Sequence, residues 1–352
     1  MGAGQDLPRF SRTLWQTASA HKTCKRHRDG DGKGSGRLHL KLRPRSDPAD
    51  GQGGPGDHNL CLGRVNRPTG CRSRKLGVTL GVVDVIVTGA GGKLGRLLRA
   101  AWQECQTHGL RPVWTGRREG VDITWDIENG PTPALPHGAV LLHLAGVTRG
   151  PEAALARNVA MVAPLLQACR AASVRKLLFV STAAVYGPGP TPAREDDAPA
   201  PLNAYGRSKA AAEAVLMAQA DCPVTILRLG NIAGADALLG PRGAGEIVLD
   251  PVPGQIGGPL RSWIGPKSLA QVLAALCRAE LPNILNIACD PPLPMADLLT
   301  ASGLPWRFGP PNPAVVPVAT LATTRLAELV DLPGADPATL AAEAAWARGV
   351  LA

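Results

Sequence analysis

Val82-Val83-Asp84-Val85-Ile86-Val87-Thr88-Gly89-Ala90-Gly91-Gly92-Lys93-Leu94-Gly95 is the stretch of this 352-residue chain that decides its architecture. The β-branched run predicts a buried strand, and the glycines predict a tight turn. Apolar residues then recur with helical period through Leu97, Leu98, Ala101 and Trp102. Glycines at 89, 92 and 95 let the backbone turn sharply and approach a pyrophosphate, whose charge would rest on the N–H groups that open the helix. A glycine-rich turn alone is weak evidence, because any tight turn uses the same residues.

Support comes from the rest of the chain. Short apolar runs at Pro112 to Thr115, Val121 to Trp125, Ala139 to Leu144, Leu177 to Ser181, Val224 to Leu229 and Ile284 to Ile287 read as strands. Ala-rich helical stretches such as Arg157 to Ala172 and Ser208 to Ala220 fall between them. Strand and helix in alternation predict an α/β fold with a Rossmann-type, doubly wound parallel sheet. The expected division is a dinucleotide-binding domain over 81–235 and a small C-terminal substrate-binding lobe over 236–352, interleaved with the last strands of the sheet.

Charge separates the first 80 residues from the rest. They hold 16 Lys and Arg against 6 Asp, so the whole formal charge of +10 resides there, and the remainder balances 22 basic with 22 acidic residues. That balance suits a metabolic enzyme rather than a nucleic-acid-binding face. With 13 glycines and no sustained periodicity, residues 1–80 are expected to be a disordered basic tail. Three readings of it stand: an arm for nucleic acid or anionic lipid, an Arg-rich targeting peptide, or sequence without selected function. The third is preferred, since the arginines are scattered and no aromatic interleaving appears. In one form of it the tail is not part of the native protein, which would start near Val78, Val82 or Val83.

No run approaches the ~18 apolar residues of a membrane span, and no secretory signal opens the chain. The expectation is therefore a cytoplasmic protein with no membrane or nucleic-acid partner. The eight cysteines show neither CxxC pairs nor Cys/His clusters, so no metal site is expected and most of the thiols read as buried and inert. Aromatics are only 3% of the residues, which leaves the core to Ala, Val, Leu and Ile.

Seven motifs, in order, carry a resemblance. Thr88 to Gly95 is similar to TGxxGxxG, and Asp126-Ile127 to an acidic residue beside an adenine. His143-Leu144-Ala145-Gly146 resembles a strand end, and Asn158 the Asn of the next helix. Ser181 to Gly187 resembles SSxxVYG, Tyr205 to Lys209 is YxxxK, and Arg228 to Gly234 resembles RxxNxxG. Together they resemble the extended short-chain dehydrogenases/reductases, the NAD-dependent epimerase/dehydratase family, over residues 82–290. The resemblance implies a cofactor site of Gly89, Gly92, Lys93, Leu94, Gly95, Arg117, Asp126, Ile127, Leu144, Ala145, Gly146 and Asn158, joined by Tyr205 and Lys209. It also implies catalysis by Thr182, Tyr205 and Lys209, substrate contacts from Thr182, Asn231 and Arg261, and a homodimer through a helix pair.

The i, i+4 spacing puts Tyr205 and Lys209 on one helix face, where the ammonium is expected to draw the phenol from about 10 towards neutrality. Tyr205 would then exchange a proton with a substrate hydroxyl or carbonyl while hydride passes to or from nicotinamide. The chain holds two tyrosines, both at motif positions, and Tyr186 reads as structural. The family's 4,6-dehydratases carry Asp-Glu where this chain has Ala183-Ala184, which disfavours dehydration and leaves epimerisation or simple oxidoreduction of a sugar, with or without a nucleotide, or of a small carbonyl. His143 reads as packing rather than as a base. Arg117 and Arg118 stand where an acid would hold the ribose of NAD, so NADP is favoured slightly over NAD. Arg261 would hold a phosphate or make a structural salt bridge. Gly265 and Ser268 replace the family's His and Asp. The competing class is a non-catalytic dinucleotide-binding regulator on the same fold; a third, nucleic-acid binding through the tail, rests on charge alone.

Overall fold

A computed structural model describes residues 81–105, 107, 109–243 and 245–352. The basic tail, with its three readings, lies outside them. In chain order the elements are β1 (Val83–Thr88), α1 (Lys93–Glu104), β2 (Leu110–Gly116), β3 (Ile123–Thr124), β4 (Val140–His143), α2 (Glu152–Leu155), α3 (Arg157–Ala160), α4 (Val162–Ala171), β5 (Lys176–Thr182) and α5 (Ala204–Gln219). There follow β6 (Val224–Leu229), β7 (Asn231–Ile232), β8 (Ile247–Leu249), β9 (Leu260–Ile264), α6 (Pro266–Leu276), β10 (Ile284–Ile287), β11 (Cys289–Pro294), α7 (Met295–Ala301), β12 (Trp306–Phe308), β13 (Val318–Ala319), α8 (Thr324–Leu329) and α9 (Pro337–Leu351).

Seven parallel strands form the main sheet in the order β10-β6-β5-β4-β1-β2-β3. Buried on both faces, these strands are continuous apolar runs instead of alternating ones, as in Val85-Ile86-Val87 and Val140-Leu141-Leu142, all fully buried. One face packs Leu98, Trp102, Leu269 and Leu273 of α1 and α6. The other packs Val162, Leu165 and Leu166 of α4 and Leu216 of α5 around Phe179. Strand order reverses between β1 and β4, which opens a crevice at their carboxyl ends.

The helix expected over 157–172 is interrupted at Met161, dividing it into α3 and α4. The helix expected to begin at Ser208 begins at Ala204, because Asn203 caps it by accepting from the Gly206 N–H at 2.7 Å. Tyr205 therefore lies in its first turn. The carboxyl-terminal part carries more structure than its Pro- and Ala-rich sequence suggests. β9 pairs with β7, β11 and β13 in a second sheet, and β8 pairs with β12. Helix α9 returns to the first helix of the chain: Arg96 donates to the Leu351 carbonyl at 2.8 Å, and the Trp346 indole to Glu104 at 2.8 Å.

Of the described cysteines, Cys169, Cys277 and Cys289 are buried, Cys222 is half-buried and Cys105 is exposed. The Cys169 and Cys222 thiols face each other, and their interaction raises Cys169 and lowers Cys222. Distance along the chain hid this contact, since α4 and the turn before β6 meet only in the folded sheet. Among the described residues no helix is long and apolar enough to cross a membrane, and no three His, Cys, Asp or Glu side chains cluster as metal ligands.

Candidate active site

The turn after β1 is shaped by close approach. Gly89 has φ of 77°, and a Cβ there would lie 2.6 Å from the Ala145 backbone nitrogen. Only glycine satisfies both conditions. Helix α1 then starts at Gly92 with no side chain capping it and no acid in its first turn. Its first N–H groups are thus left for an anion, which fits the pyrophosphate of a dinucleotide.

A cleft of about 640 Å³ opens in front of that helix start, at the ends of β1, β2, β3 and β4. Of the residues expected from sequence, Gly89, Gly92, Arg117, Asp126, Ile127, Leu144, Ala145 and Gly146 line it. The side chains of Lys93, Leu94, Tyr205 and Lys209 do not; Lys93, Leu94 and Gly95 open α1 and supply the N–H groups left for the anion, while the Lys93 side chain is in solvent. Asn158 is also off the wall. Its amide holds Val147 from both sides, accepting from the N–H and donating to the carbonyl at 2.8 Å each, and donates to Ser208 on α5 at 3.0 Å. It fixes the wall instead of lining it.

Sequence reasoning missed Arg96, Arg99, Trp125, Glu128 and Arg157, which complete the cleft. Arg99 sits one turn beyond Arg96 and points over Trp114, donating to the Gly120 carbonyl at 2.7 Å. Glu128 and Arg157 form a two-pronged ion pair. Asn129, together with the Glu128 N–H and the charge of Arg117, holds Asp126 below the ordinary carboxylate range. The Trp125 indole N–H is buried without a partner in the cleft wall.

The second part of the site lies at the end of β5. The Thr182 hydroxyl accepts from the Ala184 N–H at 3.2 Å, beginning the single turn Ala183–Val185. Gly206 presses against that turn so closely that a Cβ would lie 2.4 Å from the Ala184 carbonyl oxygen. This approach sets the Tyr205 phenol on the Thr182 side, close enough for the Thr182 hydroxyl to favour the phenolate. Lys209, one turn along α5, is buried with its Nζ 4.1 Å from the Phe179 ring centroid. Burial pushes Lys209 down to about 8, with Glu213 opposing the shift.

The expected effect of Lys209 on Tyr205 is corrected here. Burial pushes the phenol up to about 12, and the opposing pull comes from Thr182, not from the ammonium. A phenolate in this apolar setting is penalised more than the neighbouring groups relieve. Below the pair lies a buried network: Ser181 donates to Glu213, and Glu213 pairs with Arg228, whose guanidinium covers the Tyr186 ring at 4.5 Å. Tyr186 donates to Asn286 at 2.8 Å, a structural placement. His143 is buried and neutral, pushed down to about 3 by burial and by Lys209.

The substrate-side residues stand apart. Among the described residues Arg261 makes no ion pair: its guanidinium donates to the backbone carbonyls of Leu260, Val316 and Pro317 at 2.8, 2.8 and 3.4 Å. Asp236, five residues beyond Asn231, accepts from the Leu239 N–H at 2.9 Å through Oδ1 and keeps its other oxygen without a partner, and burial pushes its carboxyl up to about 6. Next to Gly265 and Ser268 lies Glu343 from α9. It accepts from the Lys267 and Ser268 N–H groups at 2.7 and 3.1 Å and from the Ser268 hydroxyl at 2.6 Å.

Seven parallel strands with an anion-ready cleft at the reversal of strand order define a dinucleotide-binding protein of the Rossmann type. The family model described as the NAD dependent epimerase/dehydratase family matches residues 85–287, more than half of the chain, and the chain belongs to that family. It is 32% identical over 173 residues to UDP-glucose 4-epimerase of Azospirillum brasilense, covering 43% of this chain and 50% of that protein. It is 30% identical over 209 residues to dTDP-4-dehydrorhamnose reductase of Mycolicibacterium smegmatis, covering 56% and 62%. The chain thus spans between half and two thirds of the length of these relatives. Among solved structures, MoeE5 in complex with UDP-glucuronic acid and NAD superposes with a TM-score of 0.62 at 23% identity, covering 76% of this chain and 99% of that one. The complex of Thermus thermophilus UDP-glucose 4-epimerase with NAD gives 0.58 at 21% identity, with coverages of 76% and 99%. These likenesses establish the fold, and the cofactor those neighbours hold is NAD, not NADP.

Proposed function

We propose that the protein is an NAD(P)-dependent epimerase or oxidoreductase acting on a sugar, most simply a nucleotide sugar, with Tyr205 as the acid/base. The observation that supports this reading is that Thr182 ends β5 with the Tyr205 phenol on its side and Lys209 one turn along α5, in a fold whose cleft meets a helix start open to a pyrophosphate. The cofactor would be held by the turn at Gly89 to Gly92, by Asp126 and Ile127, and by the wall at Leu144 to Gly146. When bound it supplies a hydride acceptor or donor. Tyr205 exchanges a proton with the substrate oxygen at its Oη, Thr182 holds the same oxygen, and Lys209 orients the ligand from below. Ala183 and Ala184 offer no carboxylate for elimination of water.

Three finer points belong to the same proposal. NAD is the base expectation, and Arg117 and Arg118 extend it to NADP through the ribose phosphate. Residues 81–235 serve the cofactor and 236–352 the substrate. The molecule works as a cytoplasmic homodimer through the face of α5. The test is a titration of NAD, NADH, NADP and NADPH into the full chain and into Tyr205→Phe, followed by a screen of nucleotide sugars. Cofactor binding by both, with turnover by the parent alone, is the expected result. Failure to bind any of the four would end the enzyme reading, and binding without turnover of any sugar would leave the regulator.

A further inference from the structure

We propose that Phe179 is a positioning residue of this site: its ring face, backed by His143, fixes where the ammonium of Lys209 stands. The inference rests on the reading of Lys209 as a ligand-orienting group. It begins with strand register. Thr88, His143 and Phe179 are register partners across β1, β4 and β5, so their side chains form one row on one face of the sheet. The Thr88 hydroxyl and His143 Nδ1 share a hydrogen bond of 2.8 Å. His143 and Phe179 stack with centroids 5.3 Å apart and planes 11° from parallel. Lys209 closes the row from α5, with its Nζ 4.1 Å from the Phe179 centroid, and all four residues are buried.

What the ammonium lacks matters as much. Among the described residues no carboxylate or carbonyl accepts a hydrogen bond from Lys209, and its Nζ keeps open surface although the residue as a whole is buried. The groups that face it are the Phe179 ring, the neutral His143 behind that ring, and Glu213 one turn along α5, which is already engaged by Arg228 and Ser181. A ring face attracts a cation through its quadrupole without consuming a hydrogen-bond donor. Phe179 therefore holds the charge in place and leaves the donors for a ligand oxygen. The row also ties Lys209 to Thr88, the residue before the glycine turn. The two halves of the site are thereby joined across three adjacent strands.

The test separates the quadrupole from packing. Mono-, di- and trifluorophenylalanine placed at position 179 of the full chain weaken the face charge while nearly preserving shape. The expected result is a stepwise loss of NADH affinity, reaching about three- to tenfold with the trifluoro ring. A matching stepwise fall in the Lys209 titration midpoint should be seen by NMR of the lysine side chain, assigned through Lys209→Met. Phe179→Leu should show the full loss, and Phe179→Tyr, which keeps a ring, most of the binding. Affinity and titration unmoved by fluorination, with Phe179→Leu lowering only the melting temperature, would overturn the proposal. A Lys209→Met chain that binds NADH like the parent would instead take down the reading of the site, while the titration would still decide whether Phe179 holds the ammonium.

Discussion

Gly95 lies in the first turn of α1 and Gly265 stands just before α6, and neither has room for a side chain. At Gly95 a Cβ would lie 2.3 Å from the Gly89 carbonyl oxygen, so the obstacle is the backbone of the turn six residues earlier. At Gly265 it would lie 2.1 Å from Oε2 of Glu343, a side chain delivered by α9 from the far end of the chain. The first restriction is local and rigid. The second is remote and can yield, because a glutamate has rotamers to choose from. One constraint is thus set within its own segment, whereas the other is set by a distant helix.

The sharpest check of local placement is chemical. Tyr205→Phe should lower turnover by about 10²- to 10⁴-fold with little change in cofactor affinity, read by steady-state kinetics beside a binding titration. Equal turnover in both proteins would remove Tyr205 from the reaction. Next in size, Gly95→Ala should cost about 3 kcal/mol, since backbone must shift, and should abolish cofactor binding. Gly265→Ala should cost clearly less, because the Glu343 carboxylate can swing aside. Melting curves of the two variants side by side would break the contrast if the losses are equal.

Asp236 offers a pH-dependent test of remote packing. Burial raises its folded pKa to about 6, above the value of 3.8 for an unfolded aspartate. A raised folded pKa means the folded state binds the proton more tightly. Its stabilising contribution is therefore full below about pH 4 and lost as pH rises through 6, on the order of 1–3 kcal/mol. Asp236→Asn should gain stability over the parent at pH 7 and lose that advantage at pH 4; denaturant unfolding at both values would reveal a pH-independent difference if the assignment is wrong. Glu343→Ala, which strips the start of α6 of its cap, should cost about 1–2 kcal/mol, and a variant as stable as the parent would show that α9 does not hold this helix start. Smallest of all, Arg118→Ala should change the ratio of NADP to NAD affinity by less than about tenfold. Equal binding of the two cofactors by the parent would remove Arg118 from cofactor choice.

The same division explains what could be read in advance. The strand at Val83–Thr88, the turn at Gly89 to Gly92 and the parallel order of the sheet were legible, because β-branched runs, glycines and strand–helix alternation act over a few residues at a time. Tyr205 and Lys209 were legible as neighbours because helical spacing alone puts them on one face. That Lys93, Leu94 and Asn158 stand off the cleft wall was not legible, since a motif marks a position and not the direction of a side chain. Nor was the Tyr205 phenol's upward shift, which depends on how much apolar surface closes over it.

By itself, then, the order of residues determined a doubly wound sheet with a phosphate-ready turn, through interactions between near neighbours. Only the tertiary structure decided that Arg261 is spent on three carbonyls and that Glu343 caps the start of α6 at 267 and 268. It alone aligned Thr88, His143 and Phe179 under Lys209. Those outcomes depend on packing between segments far apart in the chain, where burial sets the charge of each group and register sets its neighbours.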